Sequence, residues 1–210
     1  MRGLYKIQLF AAIVALPSLA SAQIAGGHSG VSTIHSFSGR SAYDDLNAFG
    51  TCFASKQTKD ALRLVSTEAA SVAEAQVYKQ LFSKEQYCLG DLLGLSVNWK
   101  LVRGAVGEGF YEAKMPVPPA LAAPVSMPRE KVQSFMDAAI CYARQHPDDA
   151  RRLVETTKPG TKEEEALIEK LAPDFDACLP PNMPSGFQID AILLRYRIAE
   201  ALWRTGQVHS

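Results

Sequence analysis

The chain has 210 residues with 22 basic and 22 acidic side chains. That balance leaves no basic excess to neutralise phosphates, which argues against a nucleic-acid partner. Beyond the N-terminal segment no apolar run is long enough to cross a membrane.

The first residues read as a secretory signal. Arg2 and Lys6 give a positive start, Leu9 to Leu16 is a short apolar run, Pro17 breaks it, and Ala20, Ser21 and Ala22 supply the small residues before an expected cleavage at Gln23. No Cys follows those small residues, so a lipid anchor is not expected. Removing residues 1–22 leaves 188 residues, enough for one domain or two small ones, with 20 basic against 22 acidic side chains. The expected location is the periplasm of a Gram-negative bacterium, or secretion. Residues 23–40 are rich in Gly, Ser and Thr and read as a flexible leader.

Residues 41–113 form the first expected unit. Ser41 and Asp44 suggest a capping box, in which a hydroxyl and a carboxylate satisfy the open backbone N–H groups of a helix start. The helix they open would run to about Ser55, with Leu46, Phe49 and Phe53 at helical spacing. Thr58 opens a second helix, Val72 to Phe82 form a third, and Trp99 to Glu112 a fourth. Gly104, Gly107 and Gly109 weaken that fourth helix and point to close helix packing. Residues 114–128 are a connection. The stretch from Met115 holds five of the twelve prolines, at 116, 118, 119, 124 and 128, so it is extended and semi-rigid.

Residues 129–206 form the second unit, with 207–210 as a tail. Its first helix is expected to start near Pro128, with Val132, Phe135, Ala139 and Tyr142 as an apolar stripe. Pro147 opens the second helix, with Asp148 and Asp149 at its positive end. The third spans Lys162 to Leu171 and the fourth Asp190 to Arg204. No alternating strand pattern is evident.

The two units resemble each other. Residues 52–67 (CFASKQTKDALRLVST) and 141–156 (CYARQHPDDARRLVET) are identical at eight of sixteen positions, including Asp60/Asp149 and Arg63/Arg152. With one inserted residue, Ser71 and Glu74 align with Thr161 and Glu164, both Ser/Thr-x-x-Glu capping boxes, and Cys88 aligns with Cys178. Two further insertions bring Arg103 onto Arg195 and Glu108 onto Glu200. The fold class expected is therefore all-α, with two tandem copies of a roughly four-helix unit.

An even cysteine count in an exported chain implies disulfides. Pairing Cys52 with Cys88 and Cys141 with Cys178 makes each unit self-contained. Cys52–Cys141 with Cys88–Cys178 also respects the symmetry but ties the units together, and the first arrangement is favoured. Each loop would stabilise by roughly 3–4 kcal/mol in the chain-entropy model.

Chemistry is sparse. Gly27 to Gly30 is not a nucleophile elbow, and the chain has neither a phosphate-binding loop nor a His-Glu-x-x-His motif. The histidines, at 28, 35, 146 and 209, do not converge on a metal site, and paired cysteines leave no thiolate nucleophile. No catalytic residue, metal or cofactor is assigned. Asp60 with Arg63, and Asp149 with Arg152, are expected as surface pairs three residues apart. Arg103 and Glu108, like Arg195 and Glu200, are five apart, about 140° around a helix, and cannot simply pair with each other. Each Glu is expected to meet an Arg from another helix of its own unit, Arg63 or Arg152. Catalytic carboxylates with unlike roles are not normally encoded by the same residue in two copies.

Cys-aromatic-Ala, Asp-Ala-x-Arg-Leu-Val, Pro-Gly-Thr-x-Glu-Glu, Cys-Leu and a closing Arg-x-x-x-x-Glu-Ala-Leu-Trp together resemble a group of exported bacterial proteins with Cys-paired helical repeats and no assigned activity. The resemblance covers most of residues 45–206, and the first unit departs from it at Gly107 and Gly109 and at Ala69. It implies fold and export but no activity. The function expected is a non-enzymatic binding or interaction module, with another envelope protein as one conceivable partner. The alternatives are an envelope hydrolase using Glu108 or Glu200, and a structural or stress-protective envelope protein.

Overall fold

The computed structural model describes residues 23–25, 42–69, 71–82, 88, 99–180 and 188–207. The expected signal segment, the rest of the leader, Ser41 and three of the four histidines lie outside them.

The described residues are mostly helical. The order is strand β1 (Gln23–Ala25), then helices α1 (Ala42–Lys56), α2 (Thr58–Val65), α3 (Val72–Phe82) and α4 (Trp99–Glu112). A 3-10 turn (Arg129–Lys131) precedes α5 (Phe135–Gln145), α6 (Pro147–Thr156), α7 (Lys162–Ala177), strand β2 (Gln188–Asp190) and α8 (Ala191–Arg204). Disulfides join Cys52 to Cys88 and Cys141 to Cys178, with Cα atoms 5.7 and 5.8 Å apart. The self-contained pairing is thus the one adopted.

Several boundaries differ from the sequence expectation. Residues 23–25 are not simply leader, because they pair in parallel with 188–190 as a two-stranded ribbon. Three residues are too few to display an alternating pattern. The fifth helix starts at Phe135 rather than near Pro128. Ser134 accepts from the Asp137 N–H at 3.1 Å, and the Asp137 carboxylate accepts from the Ser134 N–H at 3.0 Å. This capping box is the stronger start signal, and Pro128 opens only the 3-10 turn. Helix α7 runs on to Ala177 through Pro173, which carries Phe175 into the core and brings Cys178 to its partner.

Helices α4 and α8 form the centre. Every residue from Leu101 to Tyr111 and from Leu194 to Trp203 is buried, as expected of helices covered on all sides. They lie side by side and run the same way. Gly104 abuts Tyr196, Gly107 abuts Glu200, and Phe110 stacks on Trp203 with ring centroids 4.5 Å apart. A Cβ on Gly104 would sit 2.5 Å from that of Tyr196. On the other side α1 crosses α4 at Gly50, where an added Cβ would lie 2.1 Å from the Ala105 carbonyl oxygen. The glycines that weaken α4 as an isolated helix permit this backbone approach. The remaining helices wrap the central pair, and one apolar cluster includes residues from all eight.

The proline-rich connection packs along this core. The Ala123 N–H donates to the Arg204 carbonyl at 2.9 Å, and the Trp203 indole donates to the Met115 carbonyl at 2.9 Å. Arg144 of α5 donates to the carbonyls of Ala123 and Val125. An extended segment without ladder partners thereby satisfies its backbone groups.

Candidate functional site

Two buried charge clusters occupy the middle of the molecule, each built around a helix end. The last carbonyls of an α-helix have no partner within the helix and carry partial negative charge. Arg103 of α4 donates to Leu64 O at 3.2 Å, Val65 O at 2.9 Å and Thr67 O at 2.9 Å, where α2 ends. Arg195 of α8 donates to Leu153 O at 2.8 Å and Val154 O at 2.7 Å, near the end of α6. In the alignment of the two halves Leu64 matches Leu153 and Val65 matches Val154.

The starts of α3 and α7 complete these sites. Ser71 Oγ accepts from the Glu74 N–H at 3.1 Å, and Thr161 Oγ1 accepts from the Glu164 N–H at 3.3 Å. The hydroxyl half of each expected capping box is present. The carboxylates differ. Glu74 meets the Arg103 guanidinium at 3.1 Å. Glu164 accepts from the Gly160 N–H at 2.7 Å and lies 3.6 Å from Arg195.

The closing contacts cross between α4 and α8. Arg195 donates to Glu108 at 2.7 Å, and Arg103 donates to Glu200 at 3.2 Å. Because the two helices run alongside in the same direction, an Arg and a Glu five residues apart pair across the helices and not within one. The carboxylates therefore meet Arg195 and Arg103 rather than Arg63 or Arg152. Arg63 is exposed and donates to Gln80 at 2.6 Å. Arg152 is exposed, and the three-apart pair on α6 is Arg151 with Asp148. Asp60 and Asp149 are half-buried.

The clusters are not equivalent. Glu200 also accepts from Arg197 at 3.0 Å and Arg204 at 2.7 Å. Under the alignment of Arg103 with Arg195, these two arginines fall opposite Ala105 and Glu112. Burial pushes the Glu200 carboxyl up, but Arg103, Arg204 and Arg197 outweigh it and hold it at about 2. Among the described residues Arg195 is the one guanidinium that Glu108 and Glu164 meet. Burial raises both, Glu164 to about 7, against the pull of that guanidinium. Burial also lowers the Arg197 guanidinium, which Glu200 only partly offsets.

A cavity of about 660 Å³ adjoins the Glu200 cluster. Arg103, Arg197 and Arg204 line it, with apolar walls from Leu193 of α8, Phe135, Met136 and Ile140 of α5, and Leu121 and Met127 of the connection. Neither Glu108 nor Glu200 lines it. Residues that recur in both halves draw attention to Arg103, Arg195, Glu108 and Glu200. Arg197 and Arg204 do not recur, and Glu74 and Glu164 read as ordinary caps, so sequence reasoning passes over all four. The one available signal for Arg197 is a cation between Tyr196 and Ile198, one helical turn before Glu200.

His146 stacks on Tyr142 and lies 3.8 Å from Asp174. Among the described residues no group of three or more His, Cys, Asp or Glu side chains is placed to hold a metal ion, and no helix is long and apolar enough to cross a membrane. No family model, curated protein or solved structure matches the chain.

Proposed function

We propose that this chain is an exported, non-enzymatic binding module, made of two copies of a disulfide-clipped unit of about four helices, with the cavity beside Glu200 as its binding site. The cavity carries the reading. Its volume of about 660 Å³ lies within the usual range of small-molecule sites, and its lining combines apolar walls with a few converging polar groups. The duplication is supported by the eight shared positions and by corresponding hydrogen bonds from Arg103 and Arg195. Export is supported by the N-terminal pattern and by two disulfides, which suit an oxidising compartment. The hydrolase alternative gains no support from the buried carboxylates. Glu200 is held ionised by three guanidiniums and cannot donate a proton near neutral pH, and neither Glu faces the cavity.

The test uses Nile red, a neutral dye that brightens in apolar surroundings. The mature protein should bind it saturably at one site. Leu193→Trp, which pushes a larger side chain into the apolar wall of the cavity, should abolish that binding, whereas Val72→Trp, at a position 76 % exposed, should not. Saturable binding that survives Leu193→Trp would remove the cavity as the site.

A further inference from the structure

Arg197 is a buried guanidinium with no counterpart in the first half, where Ala105 takes its place. Glu200 already has Arg103 and Arg204, and the matching Glu108 manages with Arg195 alone. The residue is only 4 % exposed. Among the described residues its sole partner is Glu200, bonded through Nη1, and no described residue accepts from Nε or Nη2. Burying a cation that is only partly compensated costs stability, and the lowered guanidinium shows the same cost. Groups that cost stability and face a cavity are characteristic of sites where a ligand supplies the missing partner.

The charge count sets the kind of partner. Arg103, Arg197 and Arg204 face two buried carboxylates, Glu74 and Glu200, which leaves one positive charge in excess, and a fourth cation of the lining, Lys100, is exposed. Three other carboxylates line the cavity: Glu68, Asp137 and Asp190. Asp137 and Asp190 accept from backbone N–H groups as helix caps, and Glu68 is exposed. Their presence disfavours a multiply charged anion.

We infer that the cavity takes a monoanionic amphiphile, a carboxylate on an apolar chain, with the head on Arg197 beside Arg204 and the chain against Leu193, Phe135, Ile140 and Met127. This rests on the binding-module reading above. A guanidinium fork matches a carboxylate through two parallel hydrogen bonds, and the apolar wall rewards a chain that leaves water.

The experiment titrates the mature protein with decanoate, decan-1-ol, decyl phosphate and acetate, by calorimetry and by displacement of Nile red. Decanoate should bind at least about tenfold more tightly than decanol, the margin expected for a hydrogen bond to a charged group, and acetate should not bind. Arg197→Met, which preserves side-chain volume and leaves Glu200 with two arginines, should bring decanoate within about threefold of decanol, less than one charged hydrogen bond is worth, with decanol unchanged. Equal binding of decanoate and decanol by the wild-type protein would overturn the head-group assignment while leaving the cavity as a binding site. Tighter binding of decyl phosphate would overturn the monoanion assignment, and binding of none of these would overturn both readings. The wild-type comparison decides the matter even if Arg197→Met fails to fold.

Discussion

Replacing Glu200 by Gln tests the central charge cluster most directly. The side chain is fully buried and accepts from Arg103 at 3.2 Å, Arg197 at 3.0 Å and Arg204 at 2.7 Å. Lowering its carboxyl from an ordinary 4.5 to about 2 corresponds to about 3 kcal/mol in favour of the ionised form in the folded protein. Glutamine keeps the shape but leaves the buried Arg103 and Arg197 and the half-buried Arg204 with Glu74 as their remaining carboxylate, and breaking a buried pair typically costs about 3–5 kcal/mol. Glu200→Gln should therefore lose about 3 kcal/mol near neutral pH, read from the urea midpoint at constant slope. The sign with pH follows from the depressed carboxyl. Its contribution is full above about 4.5 and is lost as pH falls through about 2, so wild type and variant should converge in acid. Adding Arg197→Met to Glu200→Gln should recover about 1 kcal/mol, because one uncompensated charge is removed from the same cluster. A Glu200→Gln variant within about 0.5 kcal/mol of wild type at neutral pH, the scatter of ordinary surface substitutions, would refute the reasoning.

The other cluster should respond to pH in the opposite direction. Glu164 is raised to about 7 in the folded protein, so its contribution is full below about 4.5 and falls as pH rises through 7, by up to about 3 kcal/mol. Glu164→Gln mimics the protonated form and should flatten the stability profile between about pH 5 and pH 8; a wild-type profile already flat there would count against a retained proton. Gly104→Ala separates packing from helix propensity. At an exposed helical site the change gains about 1 kcal/mol, but here the new Cβ would lie 2.5 Å from that of Tyr196, so a loss of about 2 kcal/mol is expected in thermal melts. A gain would show that α4 and α8 do not approach so closely.

How much of this was legible beforehand depended on the range of the interaction. Helix positions followed from local signals. Thr58, Val72, Pro147 and Lys162 each begin the helix expected of them, because caps and apolar spacing act within a turn or two. The start of α5 was misread because a first-turn proline and a capping box competed only six residues apart, and hydroxyl and carboxylate caps satisfy more open N–H groups than a proline removes. The cavity was not legible at all. Its walls come from the segment after α2, α4, the connection, α5, β2 and α8, and no periodicity records which distant segments enclose a void.

The amino-acid order alone pointed to most of the helices, favoured one disulfide pairing over another and revealed the recurrence of Arg and Glu at matching positions, since each depends on neighbours in the chain or on the resemblance of one half to the other. Tertiary structure decided which Arg each Glu meets. Side chains five apart diverge around their own helix, and only when α4 and α8 lie alongside, in the same direction and brought close by Gly104 and Gly107, does Arg103 reach Glu200 and Arg195 reach Glu108. It also decided that Arg197 is buried beside a void, because burial is a property of all the surrounding elements and not of the helix that carries the residue.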